Sequence, residues 1–288
     1  MTTAIEPIAR YLDKQRLVLV ECEAEVRRDG PDSVHRSRVA TRRTRSILRG
    51  YRRLFAGPRP ARLRAELAWH ADLLGAPRDA EVLLERLTQT IDRLEGFDPA
   101  AAERLVAELT AEHRVAHQRL VGSMDTDRYR ALRRALDELL AAPPLRGRGR
   151  RDAGEVLPGL LARTMGRVDP LVARATDLPA NLSHWHEVRK AAKAARYSSE
   201  ALVPDFGAPA EELAAAWEQV TEALGEAQDS VVAEGVITRL AVAARAAGEP
   251  GEPYLRLESV ELANRQAALG RGREALARAQ LLAQAWRG

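Results

Sequence analysis

Two segments of this 288-residue chain, about 150 residues apart, carry the same pattern of histidine and basic residues. The first reads VHRSRVATRRTR from Val34, and the second reads WHEVRKAAKAAR from Trp185. Counted from the histidine of each segment, a basic residue stands at the third, seventh and tenth following positions. On an α-helix these positions and the histidine share an arc of about 80°. The pattern therefore predicts two helices that each present a stripe of positive charge.

The first stripe is longer than the second. It contains His35, Arg38, Arg42, Arg45 and Arg49. The second stripe contains His186, Arg189, Lys193 and Arg196, with Lys190 beside it. It ends one turn earlier, because Glu200 stands where the first segment has Arg49. The two stripes are therefore not expected to bind a ligand symmetrically.

The region around the first stripe lacks acidic residues. From Ser33 to Ala65 there are eleven arginines and no Asp or Glu. An ordinary solvated helix face, which is the alternative interpretation, is neutralised by acids one turn away. Arginines without such partners repel one another, and their planar guanidinium groups donate bidentately to phosphate oxygens. The pattern therefore favours an anionic ligand, more strongly for the first stripe than for the second.

Helical periodicity dominates the chain, and Ala, Leu, Glu and Arg are abundant while aromatic residues make up only 4%. This composition favours an all-α fold. The Gly- and Pro-containing segment 141–159 is predicted to be a linker. The predicted helices are 4–28, 33–55, 60–75, 79–95, 99–123, 128–141, 156–176, 182–203, 209–225, 228–247, 254–269 and 271–286.

A second pair of matching segments has nearly the same separation. LGAPRD begins at Leu74, and LGEAQD begins at Leu224. Two features at one offset indicate an internal duplication. We therefore predict two helical bundles, residues 1–145 and 146–288, related by a pseudo-twofold axis. Asp79 and Asp229, which end these segments, are predicted to cap helices or to orient arginines.

These segments resemble the signature helices of the CHAD domain, the conserved histidine α-helical domain. The family pattern is a histidine followed by basic residues at helical spacing, H-x-x-R-x-x-x-R/K-x-x-R, once in each half of an internally duplicated helical domain. LGAPRD and LGEAQD resemble the L-G-x-x-R/Q-D segments that follow in the family. The resemblance covers nearly the whole chain.

The resemblance implies a non-enzymatic protein that binds inorganic polyphosphate along a basic surface or a central pore between two bundles. It also implies association with polyphosphate granules, whose proteins would be further partners, and no cofactor. Carried over by position, the polyphosphate contacts of the first half are His35, Arg38, Arg42, Arg43, Arg45 and Arg49. Those of the second half are His186, Arg189, Lys190, Lys193, Arg196 and Tyr197.

Other functions find less support in the sequence. A nucleic-acid-binding helical protein is the alternative, although few aromatic residues are present to stack on bases. His113 and His117 lie one turn apart, but no third metal ligand is apparent, and no phosphate-binding GxxxxGK[ST] loop is found. The chain shows no long apolar run and no leader-like apolar segment. We therefore expect a cytoplasmic protein with no membrane partner, and the resemblance implies a location at polyphosphate granules.

Overall fold

Helices account for nearly all regular structure in this computed structural model, which describes residues 1–179 and 181–286. Within those residues there is no β-sheet, only two isolated bridges, so the all-α prediction is confirmed. The first helices are α1 (Ile5–Arg27), α2 (Ser33–Gly50), α3 (Arg59–Ile91), α4 (Pro99–Met124) and α5 (Asp127–Ala141). After the 3-10 turn Gly147–Arg150 come α6 (Ala153–Met165), α7 (Asp169–Asp177), α8 (Leu182–Glu200), α9 (Val203–Phe206), α10 (Ala208–Ala246) and α11 (Glu252–Gln284).

Three predicted helix breaks are wrong. Helix α3 continues through Gly75 and Pro77, where the sequence predicted separate helices 60–75 and 79–95. Helices α10 and α11 are likewise continuous across the predicted breaks after residues 225 and 269. A proline inside a helix costs about 3 kcal/mol in isolation. Pro77 is buried, however, and tertiary packing stabilises the helix around it.

The opposite error occurs at the predicted helix 156–176. It is divided into α6 and α7 by a turn at Gly166–Val168, where Gly166 ends the first helix. The buried Val168 bonds through its N–H to the carbonyl of Met165. The bend therefore follows a local turn after Gly166 that the periodicity did not reveal.

One buried glycine allows the two longest neighbouring helices of the second half to approach closely. Gly272 of α11 faces Leu224 of α10, and a Cβ added to Gly272 would lie 2.7 Å from Leu224 Cδ2. Such a distance is shorter than any normal contact, so this crossing requires a residue without a side chain. Gly272 therefore fixes the separation of α10 and α11.

The apolar core has two parts. The larger part draws buried residues from both predicted halves, for example Leu12, Leu48 and Trp217. The smaller part lies where α3, α4, α10 and α11 extend beyond the rest and includes Leu87 and Leu240. The division at residue 145 and the duplication remain predictions, and residues 180, 287 and 288 of the second half lie outside the described residues.

A buried ion pair joins α3 to α10 and α11. Arg86 donates from Nε and Nη2 to Glu261 Oε2 at 2.9 and 2.7 Å, and its Nη2 also donates to Ser230 Oγ at 2.7 Å. Glu261 and Ser230 are fully buried. Removal of one partner from such a pair leaves an uncompensated buried charge. The pair therefore locks the long helices of the two halves together.

No helix in the described part of the chain is both long enough and apolar enough to cross a membrane.

Two glycines of α11 give opposite expectations for alanine substitution. Gly272→Ala places a methyl group against Leu224 and is expected to lower the free energy of unfolding by about 1 kcal/mol or more. Gly270→Ala is the matched control, since nothing lies within 4 Å of its added Cβ. It should raise stability by about 0.5–1 kcal/mol through helix propensity. Urea unfolding of both variants measures the difference, and equal stabilisation by the two would contradict the packing argument.

Candidate polyanion-binding site

Helices α2 and α8 cross closely and so bring the two basic segments together. At the crossing, the buried Tyr51 hydroxyl donates to the carbonyl oxygen of Ser198 at 2.9 Å. A Cβ on Gly50 would lie 3.1 Å from Ser198 Oγ, so this glycine permits the close approach. The apolar side of α2, including Ile47 and Leu48, is buried in the larger core. The opposite, basic side of α2 is therefore turned toward α8.

Four cations from the two stripes form a central cluster: Arg38, Arg42, Arg189 and Lys193. Burial first, and then the charges of Arg189, Arg42 and Arg38 in that order of importance, lower the pKa of Lys193 to about 6, with Asp229 opposing them. Charges on α2 thus act directly on a side chain of α8. The two stripes face one shared space and do not point to opposite sides of the molecule.

The two central arginines show the same crowding. Burial lowers the pKa of Arg42, and among its neighbours Arg38 and Arg189 lower it while Tyr197 raises it. Burial also lowers the pKa of Arg189. Among the described residues, no carboxylate oxygen lies within 4 Å of Arg42, Arg189 or Lys193. The buried Nε of Arg189 also has no hydrogen-bond partner among the described residues.

Asp79 and Asp229 lie beside the cluster on α3 and α10. Arg38 donates to Asp79 Oδ1 at 2.7 Å, and the charge of Asp229 raises the pKa of Arg189. Both aspartates lie in the middle of long helices, so the predicted capping role is wrong. The alternative prediction, an orienting partner for an arginine, describes the contact that Asp79 makes.

The glycines of LGAPRD and LGEAQD, which we call the LG segments, each lie against an arginine. In each stripe this is the arginine three residues after the histidine. A Cβ on Gly75 would lie 3.9 Å from Nη2 of Arg38, and one on Gly225 would lie 3.4 Å from Nη2 of Arg189. An added Cβ would only contact the guanidinium groups, and a side chain longer than alanine would compete with them for space. These glycines, which suggested helix ends in the sequence, therefore make room for site residues inside continuous helices.

The two histidines occupy similar positions at the start of their helices. Burial lowers the pKa of His35, and the nearby charge of Arg78 lowers it further. Arg78 is itself ion-paired with Glu81 at 2.9 Å. His186 Nδ1 lies 2.7 Å from Oε1 of Gln228, the residue that corresponds to Arg78 in the second segment. Each histidine thus lies beside the fifth residue of the neighbouring LG segment, which is Arg78 in the first and Gln228 in the second.

Glu200 neutralises one end of the site. It accepts hydrogen bonds from Arg196 Nε at 2.8 Å and from the hydroxyl of Tyr11 at 2.7 Å, and it forms an ion pair with Arg43 at 3.1 Å. The guanidinium carbons of Arg43 and Arg196 lie 5.6 and 5.9 Å from the ring centre of Tyr197. These three predicted contacts therefore form a paired group beside the central cluster rather than a set of free donors.

The other predicted contacts lie nearer the surface. Lys190 is exposed and forms an ion pair with Glu187 of its own helix. Arg45 is half-buried, Arg49 is exposed, and neither has a carboxylate within 4 Å in the described residues. These two arginines extend the uncompensated positive charge from the central cluster toward the end of α2.

His113 and His117 lie away from the stripes. His113 Nε2 lies 2.8 Å from Asp29 Oδ2, and His117 Nε2 lies 2.7 Å from the carbonyl oxygen of Val26. In the described part of the chain, no three His, Cys, Asp or Glu side chains are placed to hold a metal ion. The two histidines tie α4 to the end of α1.

Comparison with known proteins identifies similar chains. The model of the CHAD domain family matches residues 10–238. The uncharacterized protein Rv2226 of Mycobacterium tuberculosis is 30% identical over 268 residues, which are 90% of this chain and 51% of that protein. The chain therefore spans about half the length of this curated relative.

Two solved structures share the fold. PptA from Streptomyces chartreusis superimposes with a TM-score of 0.80 at 21% identity and covers 95% of this chain and 99% of its own. The CHAD domain from the plant Ricinus communis has a TM-score of 0.74 at 22% identity and covers 96% of this chain and 92% of its own. At these identities the comparison establishes the helical architecture.

The crowding of the central cluster predicts that neutral substitutions stabilise the free protein. Arg42→Met removes a repelling, desolvated cation, and Lys193→Met removes a buried amine whose charge is already suppressed at neutral pH; both keep most of the side-chain volume. A gain of about 1 kcal/mol would raise the Tm by roughly 2–4 °C. Thermal unfolding without ligand measures this shift. Arg114→Met is the control, because Arg114 is exposed and is expected to leave Tm unchanged. A lower Tm for both cluster variants would contradict the argument.

Proposed function

The chain belongs to the CHAD domain family, and from that premise we propose that it binds inorganic polyphosphate at the central cluster and along the two stripes. The observation that carries the proposal is the meeting of Arg42, Arg189 and Lys193 from two helices without a carboxylate partner. Desolvated like charges destabilise the free protein. A bound polyanion compensates this repulsion, and the free energy recovered contributes to the binding affinity.

A chain of phosphates matches the arrangement of these donors. Guanidinium groups bind phosphate oxygens through two parallel hydrogen bonds, whereas a lysine acts as a point charge. The cluster supplies both kinds of donor at its centre, and Arg45 and Arg49 continue the uncompensated charge along α2. A linear ligand with one charge at every phosphate can satisfy the centre and the extension together. A single phosphate ion can satisfy only one part.

The site favours polyphosphate over nucleic acid. Single-stranded nucleic acids are held largely by bases that stack on exposed aromatic rings. The aromatic residue nearest the cluster is Tyr197, which is buried and has guanidinium groups near its ring. It therefore offers no free face to a base. The cluster presents charge without a stacking surface.

We also propose that the protein acts by binding alone and that granule proteins in the cytoplasm are its further partners. The carboxylates beside the cluster support the non-enzymatic part of this proposal. Asp79 is ion-paired with Arg38, and Asp229 lies in the field of Arg189. Carboxylates placed in this way orient arginines and are poorly suited to collecting Mg²⁺ or to accepting a proton from water.

Charge reversal at the cluster tests the binding site. Arg42→Glu and Arg189→Glu are each expected to weaken binding of long-chain polyphosphate at least tenfold, which is about 1.4 kcal/mol. They should also make the fall of log affinity with log salt concentration less steep, because fewer counterions are released. Fluorescence or calorimetric titration at two salt concentrations measures both effects, and circular dichroism checks the fold.

Arg114→Glu is the charge-matched control for these variants. It changes the net charge equally at an exposed position outside the stripes and is expected to keep nearly wild-type affinity. Duplex DNA and single-stranded RNA are titrated in parallel. Equal or tighter binding of either nucleic acid by the wild type would overturn the choice of ligand. Phosphate release in the presence of Mg²⁺ would overturn the non-enzymatic part of the proposal.

Lys193 predicts a pH dependence of binding. Its pKa of about 6 makes it mostly neutral in the free protein at neutral pH. A bound polyanion raises this pKa, so binding takes up a proton and affinity increases by up to about tenfold per unit as pH falls from 8 toward 6. Below the pKa of the free protein the gain is complete. Calorimetry in two buffers with different ionisation enthalpies measures the proton uptake.

Lys193→Arg is the control for this linkage, because arginine stays charged throughout the pH range. The variant should bind without the proton uptake that Lys193 contributes, and His35 accounts for any small remainder. Comparison with the same polyphosphate sample cancels titration of the ligand. Equal proton uptake by the variant and the wild type would show that Lys193 does not contact the ligand.

A further inference from the structure

A second concentration of arginines surrounds an open cavity of about 710 Å³ beyond the C-terminal end of α2. The cavity lies between the residues that follow α2, the start of α3 and the 3-10 turn Gly147–Arg150. Its charged lining consists of Arg52, Arg53, Arg64, Arg146 and Arg148. We call this place the linker cavity, since two of these arginines come from the segment that the sequence predicted to be a linker.

The linker segment is fixed in place by backbone contacts. Arg146 donates from its backbone N–H to the carbonyl of Leu54 at 2.8 Å, and its side-chain Nε donates to the carbonyl of Phe55 at 2.7 Å. A Cβ on Gly149 would lie 3.0 Å from the carbonyl oxygen of Leu54, so the glycine permits this close contact. Arg146 and Arg148 are therefore held at the cavity by ordered backbone.

The linker cavity carries positive charge without local compensation. No carboxylate oxygen lies within 4 Å of any of its five arginines in the described residues. The neighbouring charge of Arg163 is the main cause that lowers the pKa of Arg53, and Arg148 and Arg52 add to it. Arg53 is thus repelled by its neighbours, at an exposed place where solvent screens the repulsion more than in the buried central cluster.

A row of arginines connects the two places. From Arg38 to Arg52, basic residues recur at alternating spacings of four and three, at positions 38, 42, 45, 49 and 52. The first four lie along one side of α2, and Arg52 follows two residues after the helix ends at Gly50. Arg49 is also close enough to Arg167 to lower its pKa, as are Arg52 and Arg53, although burial contributes most. The positive surface therefore continues from the central cluster to the cavity without an intervening acid on α2.

The large apolar side chains beside the cavity are almost fully buried. Phe55 and Leu48 contribute to the lining, but they are only 4% and 2% exposed. The exposed charged groups are Arg52, Arg53, Arg146 and Arg148, with Ala61 exposed beside them. Such a lining suits a ligand that is charged along its whole length.

We propose that the linker cavity is a second binding site for a phosphate polyanion and that one long polyphosphate chain occupies it and the central cluster at once. This inference rests on the proposed function of the central cluster. A long chain bound at both places is held more tightly than at either alone, because the second contact is intramolecular. A tripolyphosphate ion is too short to join the two places and binds each one separately.

The double variant Arg53→Glu with Arg148→Glu tests this site. We expect the wild type to bind two equivalents of tripolyphosphate and the cavity variant to bind one. The affinity of the cavity variant for long-chain polyphosphate should fall at least about tenfold, with a less steep salt dependence. The charge-matched control is Arg114→Glu with Arg278→Glu, at two exposed positions outside the cavity and the stripes. This control should retain the wild-type stoichiometry.

Gly149→Val provides a second test without a change of charge. The new side chain would contact the carbonyl of Leu54 and displace the turn that carries Arg148. Weaker binding of the long chain, with unchanged circular dichroism, is the expected result. The inference is overturned if both cavity variants bind long polyphosphate as the wild type does, or if the double variant still binds two tripolyphosphate ions.

Failure of the proposed function would give a different result. In that case Arg42→Glu would leave the affinity for long polyphosphate unchanged, whatever the cavity variants do. If the cavity variants lost binding of duplex DNA or RNA but kept that of polyphosphate, the ligand class assigned to the cavity would be wrong. The outcomes therefore distinguish a wrong assignment of the central cluster, a wrong assignment of the linker cavity and a wrong ligand class.

Discussion

Repulsion among Arg38, Arg42, Arg189 and Lys193 is the constraint on which the arrangement of this protein depends. Two unit charges about 8 Å apart repel by roughly 2 kcal/mol at an effective dielectric constant of about 20. Burial adds a desolvation cost for each charged group and shifts Lys193 toward its neutral form. A fold that holds these side chains together must offset this energy elsewhere, and the large apolar core beneath α2 and α8 supplies the opposing free energy.

The surrounding contacts limit the repulsion without removing it. Asp79 compensates Arg38, and Glu200 compensates Arg43 and Arg196 at the other side of the cluster. Arg42, Arg189 and Lys193 are left without a carboxylate within 4 Å in the described residues. The buried Arg86–Glu261 pair joins α3 to α11 away from the cluster. Asp79 and Glu200 thus neutralise the arginines around the cluster, while the charge at its centre remains uncompensated.

The helical class and the basic face of each segment could be predicted from the sequence, because both follow from spacing along one helix. The proximity of the two basic faces, which brings Arg42 close to Lys193, could not be predicted. It depends on the crossing of α2 and α8 at Gly50. Local rules failed at Pro77, where burial outweighs the missing hydrogen bond. They also failed for the linker turn, whose position depends on contacts between Arg146 and residues about 90 positions earlier.

The asymmetry of the two stripes gives the site a direction. Helix α8 ends its stripe at Glu200, whose carboxylate pairs with Arg43 and Arg196 and so occupies their donors. Helix α2 continues its stripe through Arg45 and Arg49 to its exposed end without an acid. A polyanion at the central cluster would therefore meet occupied donors beside Glu200, and along α2 it would meet arginines that have no carboxylate partner in the described residues. The electrostatics favour extension of the bound chain toward the end of α2, where the linker cavity lies.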